Sequence, residues 1–159
     1  SRFNARAIGP QTYAGIPKGM WQFTPGPAEA YGLHVGPLRG ERAFDPGDDR
    51  HNPSKASKAA ARYLEDLYTT DAKLSGLLVV ASYNMGEGRM RRLIRSLPES
   101  PSERNLWKLL ETRRKEIPAE SYDYMFRVFS AAVIGANPRL FGFDFDPVLR
   151  GSDDEGAAK

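Results

Sequence analysis

Apolar and polar positions along the chain recur with helical rather than strand spacing. From Pro53, the residues Ala56, Ala59, Ala60, Tyr63, Leu64, Leu67 and Tyr68 follow at intervals of three and four, which makes one face of a helix apolar. A Thr69-Thr70-Asp71 break leads into a stretch with no charge from Leu74 to Met85. This predicts a second helix, roughly Ala72 to Met85, buried on nearly all sides. It ends abruptly in Tyr83 and Asn84 and a Gly86-Glu87-Gly88 break, so it holds two hydrogen-bonding side chains rigidly, as at the floor of a cleft. Past Gly86, Met90, Leu93, Ile94 and Leu97 share one side, while Arg89, Arg91, Arg92 and Arg95 fall mostly on the other. Leu106, Trp107, Leu109 and Leu110 mark a short helix. Tyr122, Met125, Phe126, Phe129 and Val133 carry an apolar face from Pro118 to Asn137-Pro138, where proline ends it.

The flanks are less regular. Residues 1–23 mix Gly9, Pro10, Gly15, Pro17 and Gly19 with Phe3, Tyr13, Met20, Trp21 and Phe23, which forbids a long helix and predicts a loop folded back over a groove. Thr24-Pro25 and Gly32 frame a short helix, with Thr24 as its cap and Gly32 as its stop. Residues 33–52 are turn chemistry. Phe141, Phe143 and Phe145 alternate with Gly142 and Asp144, an extended segment expected to pack its aromatics back on the body. The polar residues 150–159 are expected to be a disordered tail. The pattern predicts a mostly α single domain over 1–149, with long loops and no internal repeat.

Composition narrows the function classes. A chain of 159 residues sustains one core without staples. With no cysteine, disulfides and thiolate metal sites are excluded, and with only His34 and His51 no histidine-rich metal site is expected. The net charge of +3 is too mild to argue for nucleic acid. Between residues 87 and 116 nine basic side chains face five acidic ones; interspersed signs at helical spacing describe a solvated face, with nucleic-acid or anionic-surface binding as the competing reading. No run approaches the roughly 20 apolar residues of a membrane span. The chain opens on Ser1-Arg2-Phe3 without an initiator Met and reads as a piece excised from a longer protein.

Three segments carry candidate chemistry: Gly19-Met20-Trp21-Gln22-Phe23, Ser82-Tyr83-Asn84 and Glu120-Ser121-Tyr122-Asp123-Tyr124. Aromatic faces beside amides and hydroxyls suit a sugar, whose ring stacks while its hydroxyl and N-acetyl groups need donors and acceptors. Each segment alone has a plainer explanation. Trp-Gln-Phe is commonly core, and Tyr-Asn before Gly is commonly a helix C-terminus.

The order of the segments adds to this. Ser1-x-Phe3, Gly19-Met20-Trp21-Gln22-Phe23-x-Pro25, Tyr31-Gly32-Leu33, Ala81-x-Tyr83-Asn84-x-Gly86-Glu87-Gly88-Arg89, Ile117-Pro118-x-Glu120-x-x-x-Tyr124 and Asn137-Pro138 follow in sequence. Together they resemble the catalytic domain of lytic transglycosylases with the goose-lysozyme-like fold of the soluble transglycosylases, nearest the membrane-bound transglycosylase D branch. The resemblance covers most of residues 1–143.

The resemblance implies a lysozyme-like helical domain that cleaves the bond between N-acetylmuramic acid and N-acetylglucosamine without water, leaving anhydro-muramyl ends. One buried carboxyl acts first as acid and then as base, so the carboxyl pair of most glycosidases is not needed. Burial against apolar groups raises its pKa, as the acid role requires. In the family this acid is the Glu of a Glu-Ser-x-Phe motif, which places it immediately before Ser1, and the helix that carries it is missing too. The chain alone is therefore expected to be inactive. The resemblance assigns supporting roles to Ser1 and Tyr124, and substrate contacts to Met20, Gln22, Phe23, Tyr83, Asn84 and Glu120. Glu87 and Glu120 have bland alternatives as helix-start acids rather than as the catalytic group. The segment Ile8 to Lys18 is longer than the family loop. No cofactor and no metal are implied. The expected partner is the peptidoglycan glycan strand, with no nucleic acid, and membrane attachment only through parts of the parent outside this chain. The expected location is the bacterial periplasm or cell envelope. The alternative is an inactive glycan-binding module of the same fold.

Overall fold

The computed structural model describes residues 4–100 and 102–147. Ser1 and Phe3 of the first motif, and the tail from 150, lie outside the described residues. The chain is mostly helical, and no β-strand occurs among the described residues. The helices are α1 (Pro25–Ala30), α2 (Pro53–Tyr68), α3 (Gly76–Met85), α4 (Glu87–Arg95), α5 (Leu106–Arg113) and α6 (Ala119–Ala136). Short 3-10 turns run over Asp49–His51, Asp71–Leu74, Arg114–Glu116 and Pro138–Phe141. Two compact units divide the chain, Ser1–Thr69 and Thr70–Lys159.

In the first unit, the residues before α1 are built from turns. The long Ile8–Lys18 segment doubles back as a narrow antiparallel loop: Ile8 bridges Lys18, the Gly9 amide donates to the Pro17 carbonyl at 2.8 Å, and Thr12 and Gly15 exchange backbone bonds at 3.1 Å. Tyr13 stands fully exposed at its tip. Helix α1 begins with Pro25 in its first turn, but Thr24 makes no side-chain capping bond. Its end is a Schellman motif: Gly32, at φ 79°, donates to the Glu29 carbonyl at 3.0 Å, and Leu33 donates to Ala28 at 2.9 Å and is itself buried. Helix α2 starts where Asn52 caps the Lys55 amide at 3.1 Å ahead of Pro53. It buries Ala56, Ala59, Ala60 and Leu67 of the face that the spacing predicts, but leaves Tyr63 and Leu64 half-buried and Tyr68, at its end, exposed.

In the second unit, the expected long buried helix is shorter. Thr70 caps a separate 3-10 turn over Asp71–Leu74, Ser75 is extended, and α3 begins only at Gly76. Leu78, Val79, Ala81 and Ser82 are buried, but Leu77 and Val80 are half-buried and Asn84 is exposed, so α3 is not enclosed on all sides. Gly86, at φ 85°, allows α4 to start one residue later in a new direction. Met90, Leu93 and Ile94 form its buried face. Helix α3 packs against both α4 and α6.

The C-terminal aromatics depart from expectation. Phe141 belongs to a 3-10 turn, and Phe141, Phe143 and Phe145 remain 43–49% exposed. Phe143 and Phe145 pack on each other, with ring centroids 5.8 Å apart, rather than back on the body. The outer face of α6 is also open: Phe129 and Val133 are exposed, and Trp107 meets Phe126 and Phe129 edge-on at 6.1 and 6.3 Å.

Candidate functional site

The Gly19–Phe23 segment lies in the first unit, and its alternate side chains do different work. Trp21 donates its indole N–H to Ser57 Oγ on α2 at 2.9 Å. Phe23 is 3% exposed and lies 6.4 Å, ring to ring, from Tyr63. Met20 is half-buried and Gln22 is exposed. Thus Trp21 and Phe23 fasten the segment while Met20 and Gln22 stay accessible.

The backbone here has little freedom. Gly19 sits at φ 76°, and a Cβ on it would lie 1.7 Å from the Arg50 carbonyl oxygen, so no other residue fits. Its amide donates to the Ala7 carbonyl at 2.8 Å, which ties the segment to the turn that follows Asn4. Gln22 is a non-glycine residue at φ 52°, a conformation costing about 1–2 kcal/mol. Its amide N–H and its side-chain Nε2 both donate to the Gly19 carbonyl, at 3.2 and 2.7 Å. That turn holds the Gln22 side chain in place and leaves Oε1 to accept.

Beneath this segment lies a buried charge network that sequence reasoning missed. Arg50 is 0% exposed and pairs with Asp48 through Nε to Oδ1 at 2.9 Å and through its terminal nitrogen to Oδ2 at 2.6 Å. Its other terminal nitrogen donates to the Ile16 and Phe23 carbonyls at 2.9 and 3.2 Å. Lys18, equally buried, donates from Nζ to the Leu38 and Ala43 carbonyls at 2.7 and 2.9 Å. Burial pushes the Asp48 carboxyl up, but the hydrogen bonds and charge of Arg50 more than offset this and hold it below the usual carboxylate range. Burial, with the nearby Arg50 charge, holds Lys18 below its ordinary value. His51 Nδ1 lies 2.8 Å from the Ala5 carbonyl and its ring packs 4.8 Å from Phe44, over which Arg6 stacks at 4.6 Å. These charges sit in a turn-rich stretch with no periodicity, so nothing local marks them as buried.

In the second unit, Tyr83 and Asn84 end α3, and Glu120 and Tyr124 lie one turn apart at the start of α6, which packs on α3. Tyr83 and Tyr124 are half-buried, and Asn84 and Glu120 are exposed. Burial pushes the Tyr124 phenol up, so at neutral pH it is a neutral group that can both donate and accept. Ser82, also on α3, has its hydroxyl committed to the Leu78 carbonyl at 2.8 Å. The side chains of Asn84, Glu120 and Tyr124, by contrast, have no hydrogen-bond partner among the described residues. Glu87, the first residue of α4, is engaged by Arg91. No three metal-ligating side chains gather among the described residues.

Within the second unit, the Asn84 amide and the Tyr124 phenol, on packed helices, are able to grip hydroxyl and acetamido groups. Comparison with known proteins points the same way. The pattern of the Transglycosylase SLT domain family matches residues 1–105. Peptidoglycan transglycosylase gp16 of Escherichia phage T7 is 42% identical over 76 residues, which is 46% of this chain. The aligned part is only 5% of that much longer protein. With two thirds of its length matched, the chain belongs to the transglycosylase SLT domain family.

Proposed function

We propose that this chain forms most of the glycan-binding body of a peptidoglycan lytic transglycosylase. The observation that carries this reading is the division of labour in the family segments: Trp21 and Ser82 spend their polar groups on the fold, while Asn84 and Tyr124 keep theirs uncommitted among the described residues, on packed helices.

In the proposed reaction, a protonated carboxyl gives its proton to the glycosidic oxygen, and the bond from muramyl C1 to that oxygen breaks. The muramyl acetamido group supports the positive charge on C1. The carboxylate then takes the proton of the muramyl hydroxymethyl group, whose oxygen bonds to C1 and closes the anhydro ring. No water is consumed. The acid is the Glu that the resemblance places before Ser1. Gln22 and Asn84 are assigned to polar groups near the scissile bond, and Tyr124 to the acid or the acetamido group. Met20 and Phe23 supply apolar surroundings that favour the protonated acid, with Tyr83, Glu120 and Ser1 in supporting places. The substrate is the glycan strand, and the place of action is the envelope. No helix among the described residues is long and apolar enough to cross a membrane.

Sacculi digested with the parent protein should yield anhydro-muropeptides by mass spectrometry, and the codon before Ser1 should encode Glu. Glycan binding without anhydro ends would make the protein a binding module instead. Hydrolysed, non-anhydro ends would make it a lysozyme.

A further inference from the structure

The arginines of α4 are sorted by face. Arg91 and Arg95, four residues apart, face acids: Arg91 engages Glu87, and Arg95 Nε reaches Asp71 Oδ2 at 2.8 Å. Arg89 and Arg92, three residues apart on another face, have no carboxylate partner among the described residues. Instead they line a cavity of about 380 Å³ together with Leu93, Ser96, Arg113 and Glu116. Three guanidinium groups against one carboxylate leave the cavity with a net charge of +2.

Two of the three are already held. Arg89 donates to the Glu116 carbonyl oxygen at 2.7 Å, which fixes its direction without neutralising it. Arg113 donates to Ser96 Oγ at 3.1 Å and to Glu116 Oε1 at 3.4 Å. Arg89 is thus held but unneutralised, and Arg92 lines the same cavity unneutralised, so an incoming oxyanion would find one donor pre-ordered and a second charge beside it.

We propose that this cavity binds a carboxylate of the peptide carried by the muramyl residue of the glycan. This rests on the glycan-cleaving reading above and deepens it. Arg89 follows Asn84 by five residues and Glu116 precedes Glu120 by four, so residues that line the cavity lie close in sequence to both candidate substrate segments of this unit. Along the α4 axis, Arg89 and Arg92 stand roughly 5 and 9 Å beyond Gly86, at 1.5 Å per residue. An extended peptide covers about that distance in two to three residues. The volume lies in the range of pockets that enclose an organic ligand and exceeds what a lone phosphate fills.

The test is calorimetric titration of the chain with four probes: the peptide-free disaccharide, the disaccharide-tetrapeptide, the free tetrapeptide with its carboxylates amidated or not, and inorganic phosphate. The carboxylate form is expected to bind about tenfold more tightly than the amidated form, and the double variant R89Q/R92Q to erase that difference. R95Q, on the paired face, should leave it unchanged, and circular dichroism confirms that each variant folds. Equal binding of amidated and free peptide, or no effect of R89Q/R92Q, overturns the proposal. So does phosphate binding more tightly than the tetrapeptide, which would make the cavity a phosphate or phosphodiester site. If the peptide-free disaccharide binds and the parent forms anhydro ends while the carboxylate adds nothing, this proposal alone falls. If the carboxylate binds and the parent forms no anhydro ends, the cavity assignment stands and the functional reading falls.

Discussion

Replacing Asp48 with alanine strips the counter-charge from a guanidinium that solvent does not reach. Arg50 and Asp48 are both 0% exposed at their side chains, and the pair is held by contacts of 2.6, 2.9 and 3.2 Å. Removing one member of such a pair costs about 3–5 kcal/mol, because the remaining charge keeps its desolvation penalty and loses its compensation. For a chain of this size that corresponds to a fall in melting temperature of about 6–20 °C, read from the far-ultraviolet circular dichroism melt. The loss should reach the Gly19–Phe23 segment, since Arg50 also holds the Ile16 and Phe23 carbonyls. The Lys18 amide, which donates to Phe23 at 3.1 Å, should then exchange faster with deuterium. A double change, Asp48→Leu with Arg50→Met, removes both buried charges and should recover part of the stability, limited by the loss of the Arg50 donor to the Ile16 carbonyl, since Phe23 keeps the Lys18 amide. A cost below about 1 kcal/mol for Asp48→Ala, with no advantage for the double variant, would refute the view that this pair underpins the segment.

Three further outcomes follow from the same geometry. Gly19→Ala combines a left-handed backbone with a Cβ driven into the Arg50 carbonyl, so it should cost more than about 3 kcal/mol and be visible as loss of soluble, cooperatively melting protein. The Asp48 carboxyl is depressed in the folded state, so its stabilisation is present above the unfolded carboxylate value of about 3.9 and is lost as pH falls through the folded value; chemical denaturation of Asp48→Asn across pH 2 to 6 should show a shallower acid loss than the parent sequence. On the proposed reading, Tyr124→Phe and Asn84→Ala in the parent protein should each reduce anhydro-product formation by about 10- to 100-fold with little change in melting temperature, because neither polar group has a partner among the described residues.

Local chemistry accounts for much of the framework. Asn52-Pro53 starts α2, Gly32 closes α1 and Gly86 separates α3 from α4, because capping bonds, proline geometry and positive φ act within a few residues. The apolar faces of α2 and α4 are likewise written in their spacing. The order of the segments nominates Gln22 in the first unit and Asn84 and Tyr124 in the second as candidates.

Tertiary packing decided what those residues are free to do. Trp21 and Gln22 are neighbours with similar claims on a sugar, yet the Ser57 hydroxyl takes the Trp21 indole while Gln22 stays exposed. Lys18, Asp48 and Arg50 look like solvated loop charges until distant carbonyls and one carboxylate surround them. The C-terminal phenylalanines show the reverse, since an apolar residue is buried only where some other element comes to cover it. Four arginines of α4 are one chemical type in sequence, and only their neighbours in space separate the neutralised pair from the pair left charged. Spacing along a chain sets which side chains share a face; long-range contacts set whether that face is spent on the fold or kept for a ligand.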